Sequence, residues 1–154
     1  MSKSLARVAK AIEDCGLAAE ILNPGPSRTA EDAARACGCA LDQIAKSLIF
    51  QGESGRIYLF LTAGGNRLDP DKAAAVAGES LRRADANTVR AVTGFAIGGV
   101  APLGHLTPPV IFADPRLRDF PQVFAAAGTP NHVFAVEPGA LIAACGATEA
   151  RFVA

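Results

Sequence analysis

Residues 44 to 62 constrain this chain more than any other stretch. Ile44-Ala-Lys-Ser-Leu-Ile-Phe-Gln51 is a short apolar run, Gly52-Glu-Ser-Gly55 a polar turn, and Arg56-Ile-Tyr-Leu-Phe-Leu-Thr62 a second apolar run. Two such runs around a short glycine-bearing turn read as a β-hairpin. Side chains alternate between faces along a strand, so Ile44, Lys46, Leu48 and Phe50 share one face and Ala45, Ser47 and Ile49 the other. Both faces are small or apolar, which predicts a strand covered on both sides. Lys46 is the exception. An ammonium group on such a face is costly unless it is paired or faces a polar cavity. Two readings stay open from the pattern alone: a site lysine, or one whose stem lies along apolar surface while its head reaches water. Lysine is also scarce here, with only Lys3, Lys10, Lys46 and Lys72.

The segments on either side supply helices and more strands. Leu5, Val8, Ala9, Ile12 and Cys15 recur at helical spacing before Gly16. Ala18 to Leu22 reads as a short strand, and Thr29-Ala-Glu-Asp32 as a capping box for a helix that Gly38 closes. Asp69-Pro70 opens a helix through Val76, and Asp85 another that ends at Thr93-Gly94. Val110 to Ala113, Val123 to Ala127 and Val133 to Val136 are expected strands, Pro138 to Ala144 a helix, and Arg151 to Val153 a last strand. Strands and helices alternate irregularly around a hairpin. The expected fold is therefore α/β of the α+β type, with a mixed, largely antiparallel, barrel-like sheet and helices outside.

At 154 residues, half of them hydrophobic, residues 1–154 are expected to form a single domain that buries roughly 70% of its unfolded surface. Fifteen basic residues balance fifteen acidic ones, which argues against gripping long stretches of nucleic acid, DNA included, while leaving room for holding one RNA end. No apolar run approaches membrane-spanning length and the first residues do not resemble a signal peptide, so a cytoplasmic protein is expected. Cys37-Gly-Cys39 is too tight for ordinary zinc spacing and Cys15 and Cys145 complete no site; no metal or cofactor is expected.

Thr93-Gly-Phe-Ala-Ile-Gly-Gly-Val-Ala-Pro-Leu-Gly-His105 is the most unusual segment. Gly98-Gly99 can adopt angles closed to other residues and lets a ligand approach the main chain. Consecutive N–H groups there could bind an anion or an oxyanion. The segment matches neither common nucleotide-binding glycine pattern, and no nucleophile elbow occurs in the chain. A second loop, Gly128-Thr-Pro-Asn-His132, brings Asn131 and His132 between two expected strands; His105 is a further imidazole beside a glycine.

Taken in order, Thr29-Ala-Glu-Asp-Ala-Ala, Ile44-Ala-Lys-Ser-Leu-Ile-Phe, Val92 to Gly104, Ala126-Ala-Gly-Thr and Val136-Glu-Pro-Gly-Ala-Leu resemble the YbaK/EbsC family of aminoacyl-tRNA deacylases. These are free-standing relatives of the prolyl-tRNA synthetase editing domain. The resemblance implies that family's barrel-like fold and hydrolysis of the ester joining a small amino acid to a tRNA 3′ end. It assigns Lys46 to the essential lysine and Gly98 to Pro102 to the Gly-x-x-x-Pro loop. Lys46, Gly98 and Gly99 are then the expected catalytic residues, with Ser47, Ala101, Pro102, Thr129, Asn131 and His132 as expected substrate contacts. Arg82, Arg83 and Arg90 are the expected RNA contacts. The expected partner is an aminoacyl-tRNA 3′ end, with a synthetase or elongation factor helping a monomer or weak dimer. Two other readings remain: a tRNA-binding or synthetase-binding module without hydrolysis, and a nucleotide-binding regulator built on Gly98-Gly99.

Overall fold

Local signals place most elements. In the computed structural model, which describes residues 2–154, helix α1 (Lys3–Asp14) opens at Ser2, whose hydroxyl accepts the N–H of Leu5, and buries Leu5, Val8 and Ile12. Strand β1 (Ala19–Leu22) follows. Thr29 accepts the N–H of Asp32 to start α2 (Ala30–Cys37), and Gly38 ends it in the left-handed region at φ 67°. A short 3-10 turn (Leu41–Gln43) leads into β2 (Ile44–Gly52), and β3 (Ile57–Ala63) completes the hairpin. Asp69 and Asp85 cap α3 (Pro70–Ala77) and α4 (Ala86–Thr93), which bracket β4 (Leu81–Arg83). Then come β5 (Val110–Ala113), a 3-10 segment (Pro115–Asp119), β6 (Val123–Ala126), β7 (Val133–Val136), α5 (Pro138–Ala144) and β8 (Thr148–Glu149).

Two expectations need correction. β4 has no counterpart in the sequence reading, because three residues that include two arginines show no alternation. The last strand lies at Thr148–Glu149 and not at 151–153. Phe152 is instead fully buried against Phe60, with ring centroids 4.9 Å apart, so its apolar character reflects core filling and Val153 makes only an isolated bridge to Leu68.

One eight-stranded mixed sheet runs in the order β1-β7-β6-β2-β3-β5-β8, with β4 also on β2. The β1–β7, β6–β7, β2–β3 and β2–β4 ladders are antiparallel; β2–β6, β3–β5 and β5–β8 are parallel. The hairpin is covered on both faces, as its apolar pattern requires. Ala45 and Ile49 join the main core with Val8, Phe95 and Leu141. Phe50 joins Tyr58, Phe60, Ala73 and Phe152 on the opposite side, and Ile44 packs against Ala33, Ala34 and Phe124. Every residue of β3 is buried. Leu59 and Leu61 are fully enclosed, each stabilising the fold by about 1.5–3 kcal/mol.

Candidate active site

β2 is paired with β3 along nearly its whole length, but its other edge is split. There β6 pairs only with Ile44 and Ala45, and β4 only with Phe50, Gln51 and Gly52. Ladder pairing stops at Ala45, and the next partner on that edge is Ala84, whose N–H goes to the Ile49 carbonyl. Between them the sheet opens, and a cavity of about 290 Å³ lies in the gap. Lys46, Ser47 and Leu48 form its floor, Phe124 and Ala126 of β6 one flank, and Arg83 of β4 the other.

The burial problem posed by Lys46 is solved by main-chain oxygens. Its Nζ donates to the carbonyls of Asn66 (2.8 Å) and Gly64 (3.2 Å), in the turn after β3. Burial lowers its pKa from the ordinary lysine value; Glu31 acts in the opposite sense and the Arg67 charge adds to the lowering. The turn is itself clamped. Asp114, only 2% exposed, accepts the Ala63 N–H (3.1 Å) and the Asn66 side-chain amide (2.8 Å), and Asp42 accepts the Gly65 N–H (2.8 Å). A Cβ at Gly64 would stand 2.3 Å from the Leu41 carbonyl, so the turn closes only with glycine there. Lys46 therefore holds its charge in a rigid, half-buried seat, and the residue lines the cavity.

The glycine loop lies across the cavity from it. Ile97, Gly98 and Val100 line the opening, and Ile97 is 61% exposed, an unusual setting for a large apolar side chain. Gly98 has φ +94°, a conformation that favours glycine. The loop is tied to α1 by Arg7, whose guanidinium donates to Gly94 and Gly104 carbonyls (both 2.8 Å) and stacks over Phe95. His105 donates Nε2–H to the Ala101 carbonyl at 2.6 Å. Burial, reinforced by the Arg7 charge, lowers its pKa, while the bond to Ala101 acts the other way. In the second loop the Thr129 hydroxyl meets His132 Nδ1 at 2.7 Å and accepts the Asn131 N–H. That contact orients the imidazole, and Nε2 has no hydrogen-bond partner among the described residues.

The cavity thus brings together Lys46, Ser47, Gly98, Thr129 and His132 from the sequence-derived set. Gly99, Ala101, Pro102 and Asn131 are not among the residues that line it. The Gly99 N–H is occupied by the Ala96 carbonyl (3.0 Å), and a Cβ on Gly99 would meet Thr129 backbone atoms at 3.0 Å. Gly99 therefore lets the two loops touch. Ala101 and Pro102 are buried behind the loop, and the Asn131 residue is exposed outside the cavity. Of the three arginines, only Arg83 reaches the opening. Arg82 alternates to the other face, where it donates to Gln51, and Arg90 sits exposed on α4. A wider hollow of about 410 Å³ beside Arg82, at the far end of β2, holds none of the other candidate residues. Sequence reasoning missed Arg28 and Ile97 at the opening, since nothing local marks either. It also missed the Asp114 clamp; an aspartate just after an apolar strand was its one visible sign.

Residues 25–144 match the aminoacyl-tRNA editing domain family. The chain belongs to that family. Among its relatives, the uncharacterized protein YwhH of Bacillus subtilis (strain 168) is 38% identical over 112 residues, covering 73% of this chain and 71% of YwhH. A crystal structure provisionally assigned to a trans-editing enzyme for prolyl tRNA synthetase superposes with a TM-score of 0.93 at 44% identity, over 100% of this chain and 99% of that one. The structure of the protein APE2540 gives 0.89 at 30% identity, over 96% and 99% of the two chains. The editing domain's mixed sheet with helices outside is the fold these neighbours share. No helix among the described residues is long and apolar enough to cross a membrane.

Proposed function

We propose that this editing domain is a free-standing deacylase that hydrolyses the ester between a small, wrongly attached amino acid and the 3′-terminal ribose of a tRNA. The observation that carries this reading is the seat of Lys46: a half-buried ammonium, fixed by two carbonyls, on a residue that lines a small cavity together with Gly98 and His132. Synthetase pockets separate small apolar side chains by only about 1–3 kcal/mol, so a second sieve is needed downstream. At about 290 Å³ the cavity lies at the lower end of small-molecule sites and suits a small aminoacyl group rather than a bulky one. Alanine, cysteine, serine and threonine fit that description. The prolyl-tRNA synthetase connection of one structural neighbour makes tRNA-Pro the first tRNA to test.

In this mechanism a water molecule, oriented by the neighbouring ribose hydroxyl of the substrate, adds to the ester carbonyl and gives up a proton. The carbonyl electron pair moves to oxygen, and the bond to the ribose oxygen then breaks as that oxygen takes a proton. Lys46 acts as a fixed positive charge toward the terminal phosphate or the developing oxyanion, without transferring a proton. The Gly98 N–H is the loop donor available for the same oxyanion, since Gly99 is engaged elsewhere. His132 lies within the cavity to orient the amino acid or the leaving hydroxyl. Arg83 and Arg28 at the opening supply charge for the 3′-terminal phosphates. With zero net charge the footprint on tRNA is small, so a synthetase or elongation factor delivering the tRNA in the cytoplasm is part of the reading.

The test is a deacylation panel of Ala-, Cys-, Ser- and Thr-charged tRNA-Pro with wild type and Lys46→Ala. Loss of one preorganised electrostatic contact is expected to lower kcat/KM about a hundredfold or more. A variant that deacylates at near wild-type rate refutes the role given to Lys46.

A further inference from the structure

The split in the sheet leaves Ser47 of β2 with main-chain groups that no strand pairs. Ile49 presents its carbonyl to the open edge, where Ala84 takes it. Strand geometry repeats that direction every second residue, so the Ser47 N–H and C=O turn to the same edge, between the last β6 contact at Ala45 and the Ile49 contact. Ser47 also lines the cavity, and its hydroxyl is buried with no hydrogen-bond partner among the described residues. Buried polar groups in native proteins are normally paired. A buried hydroxyl without a partner among the described residues, beside two main-chain groups outside every strand ladder on that edge, marks a place made for a polar ligand.

The geometry points to the Ser47 edge as the seat of the aminoacyl group itself, recognised as though it were one residue of an added strand. An aminoacyl ester carries an N–H donor and a carbonyl acceptor on either side of one Cα. A paired residue of an antiparallel ladder presents the same pair of groups. The substrate α-amino group donates to the Ser47 carbonyl, and the ester carbonyl accepts the Ser47 N–H. The amino acid is thereby read through its backbone, while its side chain is limited only by the space that Ile44, Leu48 and Val100 leave. This rests on the deacylase reading and adds to it a requirement for a free α-amino group. It also accounts for the opening of the sheet, since a continuous β6 or β4 would occupy the same hydrogen bonds.

Rates on alanyl-, propionyl- and N-acetylalanyl-tRNA, each divided by the uncatalysed hydrolysis of the same ester, test the proposal. Propionyl is smaller than alanyl and lacks only the amino group, so exclusion by size cannot explain its rejection. The expected result is at least a tenfold loss for propionyl and for N-acetylalanyl. A propionyl rate within threefold of alanyl overturns the proposal and leaves the deacylase reading standing. Should alanyl-tRNA and its Cys, Ser and Thr counterparts all resist hydrolysis, the deacylase reading falls, and a binding measurement decides the subsite independently. In that measurement 3′-(L-alanylamino)-3′-deoxyadenosine is titrated into labelled protein. The Ser47 amide resonance is expected to shift and its hydrogen exchange to slow, with at least tenfold weaker binding of the 3′-propionylamino analogue. A Ser47 amide that ignores the alanylamino compound overturns the proposal.

Discussion

Asp114 is the place to test whether the lysine seat is built or accidental. Its carboxylate is 2% exposed and accepts three hydrogen bonds: from Ala63 N (3.1 Å), Asn66 Nδ2 (2.8 Å) and Arg116 N (3.0 Å). The first two hold the turn whose carbonyls bind Lys46; the third caps the following 3-10 segment. In Asp114→Asn the side-chain oxygen can keep the Ala63 and Asn66 bonds, but the new amide then meets the Arg116 N–H, donor against donor. Losing this bond, which is the cap itself, leaves one donor unsatisfied and costs about 1–3 kcal/mol. That corresponds to a fall in Tm of roughly 2–12 °C for a chain of this size. Asp114→Ala removes both acceptor oxygens, and with them all three bonds, and also frees Asn66. Its stability loss is expected to exceed that of Asp114→Asn, with a drop in kcat of roughly tenfold per folded molecule, as expected for a charge displaced from its productive geometry. Thermal unfolding and single-turnover deacylation at a temperature where both variants are folded provide the two readouts. If Asp114→Asn melts within 1 °C of wild type, the hydrogen-bond accounting is wrong. If Asp114→Ala is destabilised yet fully active per folded molecule, no structural link runs from Asp114 through Asn66 to Lys46.

Gly99→Ala places a Cβ 3.0 Å from Thr129 main-chain atoms, and backbone cannot swing aside as a side-chain tip can. The loops are expected to separate, with a loss of about 1–3 kcal/mol in chemical denaturation and weakened activity; an unchanged midpoint refutes the contact. Arg83→Ala is expected to raise KM for aminoacyl-tRNA several-fold and lower the salt slope by about one, whereas Arg82→Ala, on the opposite face, should change neither. Equal effects from the two would show that the cavity opening is not the RNA path. His105 has a folded pKa below its ordinary value because of burial, so the unfolded chain binds the proton first. Stability is therefore intact above the ordinary histidine range and falls as pH drops from there through the lowered folded value. His105→Gln, which can still donate to Ala101, is expected to flatten that acid-side loss of Tm, and parallel curves would argue against it.

Much of this molecule is written locally. Ser2, Thr29, Asp69 and Asp85 cap helices through bonds to N–H groups two or three residues away, and Gly38, Gly78 and Gly94 end helices in the left-handed region; such signals need only neighbouring residues. The hairpin of residues 44–63 and the conflict at Lys46 were legible for the same reason: alternation along one strand fixes which side chains share a face. What the sequence could not supply was the surroundings of those faces. Whether Lys46 is satisfied depends on carbonyls eighteen and twenty residues away, held by an aspartate nearly fifty residues beyond. Gly99 was read as an oxyanion donor because glycine pairs permit that geometry, yet its N–H is closed by Ala96 and its missing side chain admits Thr129. The split edge at Ser47 belongs to no segment at all. It exists because β6 and β4, both distant along the chain, diverge from β2 at different points, and strand register across such distances is set by packing of the whole core rather than by the order of residues.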